Sequence, residues 1–278
     1  MVYTLFRMSK AVIQKESITR KPGAFEKRIH EIDLIRGFLI GLVVMDHIFC
    51  FTTNFSSGWP SCQGLYKFVA FYWHSDARAI VRFFALAGFC MVSGISVAFS
   101  KNNWIRSGQM IAIAFLLAAV TNMANKFLLP KLGNAADSLI IDFNVIAVLG
   151  FSTLFYCFFQ KGTWRRLAAA TALLFILSWT YYPHLIQFTA GKYINFPPLF
   201  EPKEYADWMP LFPFIFFFFA GALLSTHIYM PERKSLFNKR YNWERPLCFM
   251  GRHSLIIYGT HVLIIIGVLS LLNLALGK

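Results

Sequence analysis

Arg28-Ile-His-Glu-Ile-Asp33-Leu-Ile-Arg36-Gly-Phe-Leu-Ile-Gly-Leu-Val-Val-Met-Asp-His47 is the stretch on which the reading of this chain turns. From Leu34 it is apolar apart from Arg36, Asp46 and His47, and ionisable groups inside an apolar span are costly enough to mark a site. Arg36 and His47 stand almost three helical turns apart, so they share one helix face and are separated by about 16 Å along the axis. One face of one helix can therefore address something elongated that reaches from a membrane edge into its middle.

Working outward, the whole chain has the composition of a membrane protein. Of 278 residues, 57% are hydrophobic and only 14% charged, with a mean hydropathy of +0.53, where soluble domains carry roughly 25% charged residues. Seven stretches, near 34–54, 79–100, 108–128, 138–159, 164–182, 210–229 and 253–275, approach the ~20 residues that a 30 Å hydrocarbon core requires. The expected fold class is all-α, a polytopic membrane helix bundle of about seven transmembrane helices. It is preceded by a basic cytoplasmic arm over residues 1–30, and residues 31–278 form a single transmembrane domain.

A net charge of +14 would suit nucleic acid, but the distribution points to the bilayer instead. With the amino terminus in the cytoplasm and spans alternating, 19 of the 27 basic residues fall on the cytoplasmic side or at its boundary, the pattern of the positive-inside rule. The carboxyl terminus, after an odd number of spans, is then outside. No nucleic-acid partner is expected. The first 30 residues lack the apolar core and cleavage site of a secretory signal, so the first span is expected to stay as an anchor. Cys50, Cys62, Cys90, Cys157 and Cys248 show no paired spacing, and neither a disulfide nor a structural metal is expected.

Depth along the helices brings further polar residues to the level of His47. With entry near Leu34, His47 lies about 20 Å from the inner edge, and Asn122 in the third span reaches about 21 Å. Asn144, six residues into the descending fourth span, lies at a similar level, with Asp46 and Asp142 near in height. Arg78 and Arg82, one turn apart, sit at the outer mouth of the second span. Ser254, Tyr258 and His261 follow i, i+4, i+7 spacing on one face of the last span, with His261 about 12 Å from the inner edge. Each has a plainer reading. Buried Asn, Ser and Tyr commonly hydrogen-bond neighbouring helices, His261 can be a packing residue, and Arg36 can snorkel to headgroups. Gly88, Ser93, Gly94, Ser96 and Ser100 read as a close helix contact, and His74 as an aromatic-belt residue where an external substrate would enter. His30, His184 and His227 receive no role.

An ordered set of motifs then carries a resemblance. The opening stretch is followed by Phe89-Cys-Met-Val-Ser93-Gly94-Ile-Ser96 and Ser100-Lys-Asn102-Asn-Trp-Ile-Arg106-Ser-Gly108. Next come Trp208-Met-Pro210-Leu-Phe-Pro213 and Gly251-Arg-His253-Ser254-Leu-Ile-Ile-Tyr258-Gly-Thr-His261. Together they resemble the heparan-alpha-glucosaminide N-acetyltransferase catalytic domain family, in its short bacterial form, and the Arg-and-His pair is similar to that of the wider membrane glycan acyltransferases. The resemblance implies an integral enzyme of the bacterial plasma membrane. It would transfer an acetyl group from cytosolic acetyl-CoA to an amine or hydroxyl of a sugar or glycan acceptor, with the lipid bilayer as surroundings and a homodimer among the expected assemblies. In these terms Asp33, Arg36, Arg106, Arg252, Ser254, Tyr258 and His261 bind the donor, His47 or His74 is the reactive histidine, and Asn122 and Asn144 orient the acceptor or donate to the oxyanion. Phe143-Asn144-Val-Ile-Ala147 departs from the Phe-Gly-Ile-Leu-His of bacterial relatives, which points to a different acceptor or lost activity. Two other classes stay open: an exporter or flippase using the same polar line, and a non-catalytic partner of glycan enzymes.

Overall fold

The computed structural model describes residues 29–56, 63–127, 141, 143–181, 209–230, 235–237 and 241–276. Residues 1–28 of the basic arm, Cys62, Asp142, His184 and Trp208 lie outside them. The described chain is all-helical, in nine elements: α1 (His30–Ser56), α2 (Gln63–Trp73), α3 (Asp76–Val97), α4 (Asn103–Phe127), α5 (Val145–Cys157), α6 (Trp164–Tyr181), α7 (Phe214–Ile228), α8 (Glu244–Arg252) and α9 (Ser254–Leu276).

Each of the seven expected spans overlaps a helix, but among the described residues four helices are long and apolar enough to cross a membrane: His30–Thr53, Asp76–Val97, Asn103–Phe127 and Ser254–Asn273. Helices α5 and α7 are apolar but short, at 13 and 15 residues, which is about 20 and 22 Å of rise against a 30 Å core. Helix α6 opens on Arg165 and Arg166, which dilute its apolar run. Helix α5 begins at Val145, seven residues later than the apolar pattern suggests, because the Asn144 side chain caps it by accepting from the backbone N–H of Ile146 and Ala147. The helices α2 and α8 were not legible as spans; α8 tolerates Pro246 because it falls in the first turn.

Backbone-to-backbone packing sets the bundle. A Cβ on Gly37 would lie 1.7 Å from the Leu247 carbonyl oxygen, and one on Gly251 1.8 Å from that of Asp33, so α1 and α8 touch through reciprocal glycines. Gly94 and Gly221 do the same for α3 and α7, at 1.9 Å from Phe218 O and 2.0 Å from Met91 O. Small residues of this kind let helices approach where lipid removes the hydrophobic drive to associate. The expected close contact at Gly94 is therefore present.

Pairwise contacts give the helix directions. Asp46 meets Arg78 at one end of α1 and Arg36 meets Ser96 at the other, so α3 runs against α1. His47 meets His261, and Arg36 and Ser254 share one groove, so α9 runs with α1. Phe83–Phe214 and Phe99–Tyr229 contacts make α7 parallel to α3, whereas Trp164–His227 and Phe175–Phe216 make α6 antiparallel to α7. Asn103–Gln160 and Thr121–Ile141 bonds make α5 antiparallel to α4. The core lies along α3, α5 and α7, with Val97, Val148, Phe214 and Ala222 fully enclosed. Outward positions of α4 and α9, such as Phe115, Leu116, Ile256 and Ile264, are apolar and exposed, which suits hydrocarbon rather than water.

Candidate functional site

Two adjoining cavities define the site. A groove of 450 Å³ runs between α1, α3, α4, α5 and α9, walled by Arg36, Ser93, Arg106 and Ser254 at its polar part and by Phe89, Met110, Ile113 and Leu149 at its apolar part. Its size falls in the usual range for small-molecule sites. A small pocket of 20 Å³, room for about one water, is walled by His47, Asp46, Tyr72, Arg82 and Met209. Val145 and Tyr258 line both cavities, so the groove and the histidine pocket share a wall. Helix α5 starts at that wall, which is why Asn144 is fully buried there.

Arg36 is aimed by its neighbours. Its guanidinium donates to the Ser96 hydroxyl and lies 3.8 Å from Asp33 one turn back, and Asp33 is in turn 3.4 Å from Arg252 on α8. Asp33 and Arg252 line neither cavity; they stand behind Arg36. The start of α1 is also fastened to α8 and the segment after α7. His30 Nε2 lies 2.7 Å from a Glu244 carboxylate oxygen, and the buried Glu31 carboxylate accepts from the Leu236 N–H at 2.6 Å and from the Ser235 hydroxyl. Buried carboxylates with several donors hold a helix end in one place. His30 carries no expected role in the sequence pattern, and nothing in the motif itself announces a partner 214 residues away.

His47 is buried, and its Nδ1 lies 2.9 Å from the Val43 carbonyl oxygen. A carbonyl only accepts, so Nδ1 carries a proton, and in the neutral form of the ring the lone pair is on Nε2. Phe51 stacks on the ring at 6.3 Å, and His261 meets it edge to face, with centroids 4.8 Å apart and planes at 85°. His261, buried as well, has Nδ1 2.7 Å from the Tyr258 carbonyl oxygen. Beside His47, Asp46 accepts both arms of Arg78 at 2.7 and 2.8 Å, with Arg82 at 4.0 Å, and the Arg78 guanidinium lies 3.4 Å from the Trp73 ring centre. Burial, and then the charge of Asp46, raise the Tyr72 phenol above its ordinary value despite Arg78, so Tyr72 is a neutral donor to Asp46. This network joins α1, α2 and α3; the sequence pattern suggested Asp46, Arg78 and Arg82 but neither their pairing nor the part of Tyr72 and Trp73.

The structure therefore gathers Arg36, Arg106, Ser254 and Tyr258 on one groove, and His47, with His261 packed against its ring, belongs to the pocket across the shared wall. Asn144 stands at the shared wall as a helix cap, its Oδ1 taken by two backbone N–H groups and its Nδ2 buried without a hydrogen bond among the described residues. Asn122 is exposed, donates to Ala118 O at 2.8 Å and lines neither cavity. Helical rise alone counts it level with His47, but its side chain is on the exposed face of α4. His74 is also exposed, with Nδ1 2.8 Å from Ala70 O at the end of α2, and lines neither cavity.

Among the described residues the chain is all-helical with four membrane-length apolar helices, and a groove carrying two guanidiniums adjoins a pocket that holds a buried histidine, a form that suits a membrane-embedded transferase. The chain belongs to the family of the heparan-alpha-glucosaminide N-acetyltransferase catalytic domain, whose model matches residues 28–263. That family is one of acetyltransferases. No curated protein and no solved structure matches the chain at a significant level.

Proposed function

We propose that this chain transfers an acetyl group from cytosolic acetyl-CoA to an amine or hydroxyl of a sugar or glycan acceptor within the bacterial plasma membrane. The observation that carries the reading is the wall shared through Val145 and Tyr258 between the groove of Arg36 and Arg106 and the pocket of His47. Arg36 and Arg106 suit the phosphates of the donor as charge-assisted partners, and the apolar groove wall suits its pantetheine arm. His47, neutral with its lone pair on Nε2, is the base that takes the acceptor's proton as the acceptor attacks the thioester carbonyl. Asn144, fully buried and on the lining of neither cavity, serves as the cap that starts α5 beside the shared wall and is given no part in the transfer.

The chain spans the membrane seven times, with the amino terminus inside and the carboxyl terminus outside. Supporting this, α1, α4, α6 and α9 run one way and α3, α5 and α7 the other, and the basic residues cluster on the side where α1 begins. The short helices α5 and α7 also suit an exporter, whose substrate site lies at half-length helices. Release of CoA from acetyl-CoA by the purified protein separates the two. Release that requires both Arg36 and His47 supports transfer, and none at any donor concentration refutes it.

A further inference from the structure

We propose that His261 is a positioning residue for the acyl transfer: through its edge-to-face contact it fixes the His47 ring and stabilises the imidazolium that forms there. This rests on the reading of His47 as the base. Two restraints act on the His47 ring from its own helix, the Val43 carbonyl at Nδ1 and the Phe51 ring on one face. The third comes from α9, where His261 lies with its centroid 4.8 Å away and its plane turned by 85°. The Tyr258 carbonyl accepts the Nδ1–H of His261 as the Val43 carbonyl accepts that of His47, so in their neutral forms both buried rings have the lone pair on Nε2.

The arrangement has a consequence for charge. As the acceptor's heteroatom bonds to the thioester carbonyl carbon, its proton passes to His47 Nε2. The C–S bond then breaks, and the departing thiolate takes that proton, returning His47 to neutrality. Between these events His47 is a cation. The charged groups near it are Asp46 on its own helix and Arg78 and Arg82 on α3, with Tyr72 on α2 and Tyr258 on α9 as phenols. Asp46 is engaged on both oxygens by Arg78, so it is a shared rather than a dedicated counter-ion. Of the two rings in contact with the new charge, His261 at 4.8 Å is nearer than Phe51 at 6.3 Å, and an aromatic partner within about 6 Å attracts such a cation. The same contact ties α9, which carries Ser254 and Tyr258 on the groove, to the reacting end of α1.

The test uses the full chain in detergent, with CoA release from acetyl-CoA and free glucosamine as the acceptor probe. His261→Gln and His261→Leu are each expected to lower kcat roughly 5–30-fold, with KM for acetyl-CoA unchanged and with normal thermal melting. A raised KM at unchanged kcat would make His261 a donor contact and overturn the proposal, as would unchanged kinetics. Where both variants fail to fold, nitrogen-15 NMR of histidine-labelled wild-type protein decides: protonated Nδ1 on both rings is the expected result, and a protonated Nε2 on either ring in the resting protein overturns it. His47→Gln is run alongside. Full activity of that variant removes the base reading itself, whereas a dead His47→Gln beside fully active His261 variants removes only the pairing.

Discussion

Removing the Arg36 side chain is the sharpest probe of the groove. The guanidinium is 16% exposed and held by Ser96 and Asp33, so a phosphate would meet a cation already oriented and largely stripped of water. A charge-assisted hydrogen bond of this kind contributes about 1.5–3 kcal/mol. Asp33, only 3.8 Å away, offsets part of that charge, which places Arg36→Ala at the lower end, about 1.5–2 kcal/mol or roughly 10–30-fold in Kd. Stability is expected to change little, because Asp33 keeps Arg252 at 3.4 Å and is not left as a buried lone carboxylate. Titration calorimetry of CoA into the wild-type and variant proteins in detergent measures the ratio, and Arg36→Lys, which keeps the charge but not the fork, should fall between the two. A Kd within about twofold of wild type, with an unchanged melt, would refute the assignment and leave Arg36 as a residue that only anchors α1 at the headgroups.

His47→Ala is expected to lower CoA release by roughly 10²–10⁴-fold while CoA binding survives, and His74→Ala to cost far less, since His74 is exposed and outside both cavities; single-site kinetics showing the opposite order would move the reactive centre to the end of α2. Gly94→Ala should abolish recovery of a monodisperse protein by gel filtration, because its Cβ would lie 1.9 Å from the Phe218 carbonyl oxygen, whereas Gly259→Ala, with nothing within 4 Å, should be recovered at wild-type yield; equal yields would refute the α3–α7 contact. A reporter active only in the cytoplasm should signal from the amino terminus and not from the carboxyl terminus, and equal signal from both ends would exclude an odd number of spans.

Long apolar runs are a one-dimensional property, so α1, α3, α4 and α9 could be placed from the residue pattern alone, and so could the shared face of Arg36 and His47. A 3.6-residue period fixes which residues of one helix look the same way and how far apart they stand. It does not fix which helix that face meets. Asn122 shows the limit: helical rise put it level with His47, yet the orientation of α4, set by packing on α5 through Gly150, leaves its side chain outside the site. The start of α5 was hidden for a related reason, since Asn144 acts as a cap only where the backbone before it is held out of the helix. Tertiary structure alone decided that Ser96 receives Arg36, that Glu244 meets His30, that Asp46 is committed to Arg78 and that His261 lies against His47. Each of these contacts joins residues on different helices, and their pairing depends on how glycine-mediated backbone contacts fix the rotation and crossing of the helices, a condition that the spacing of residues along any one helix does not contain.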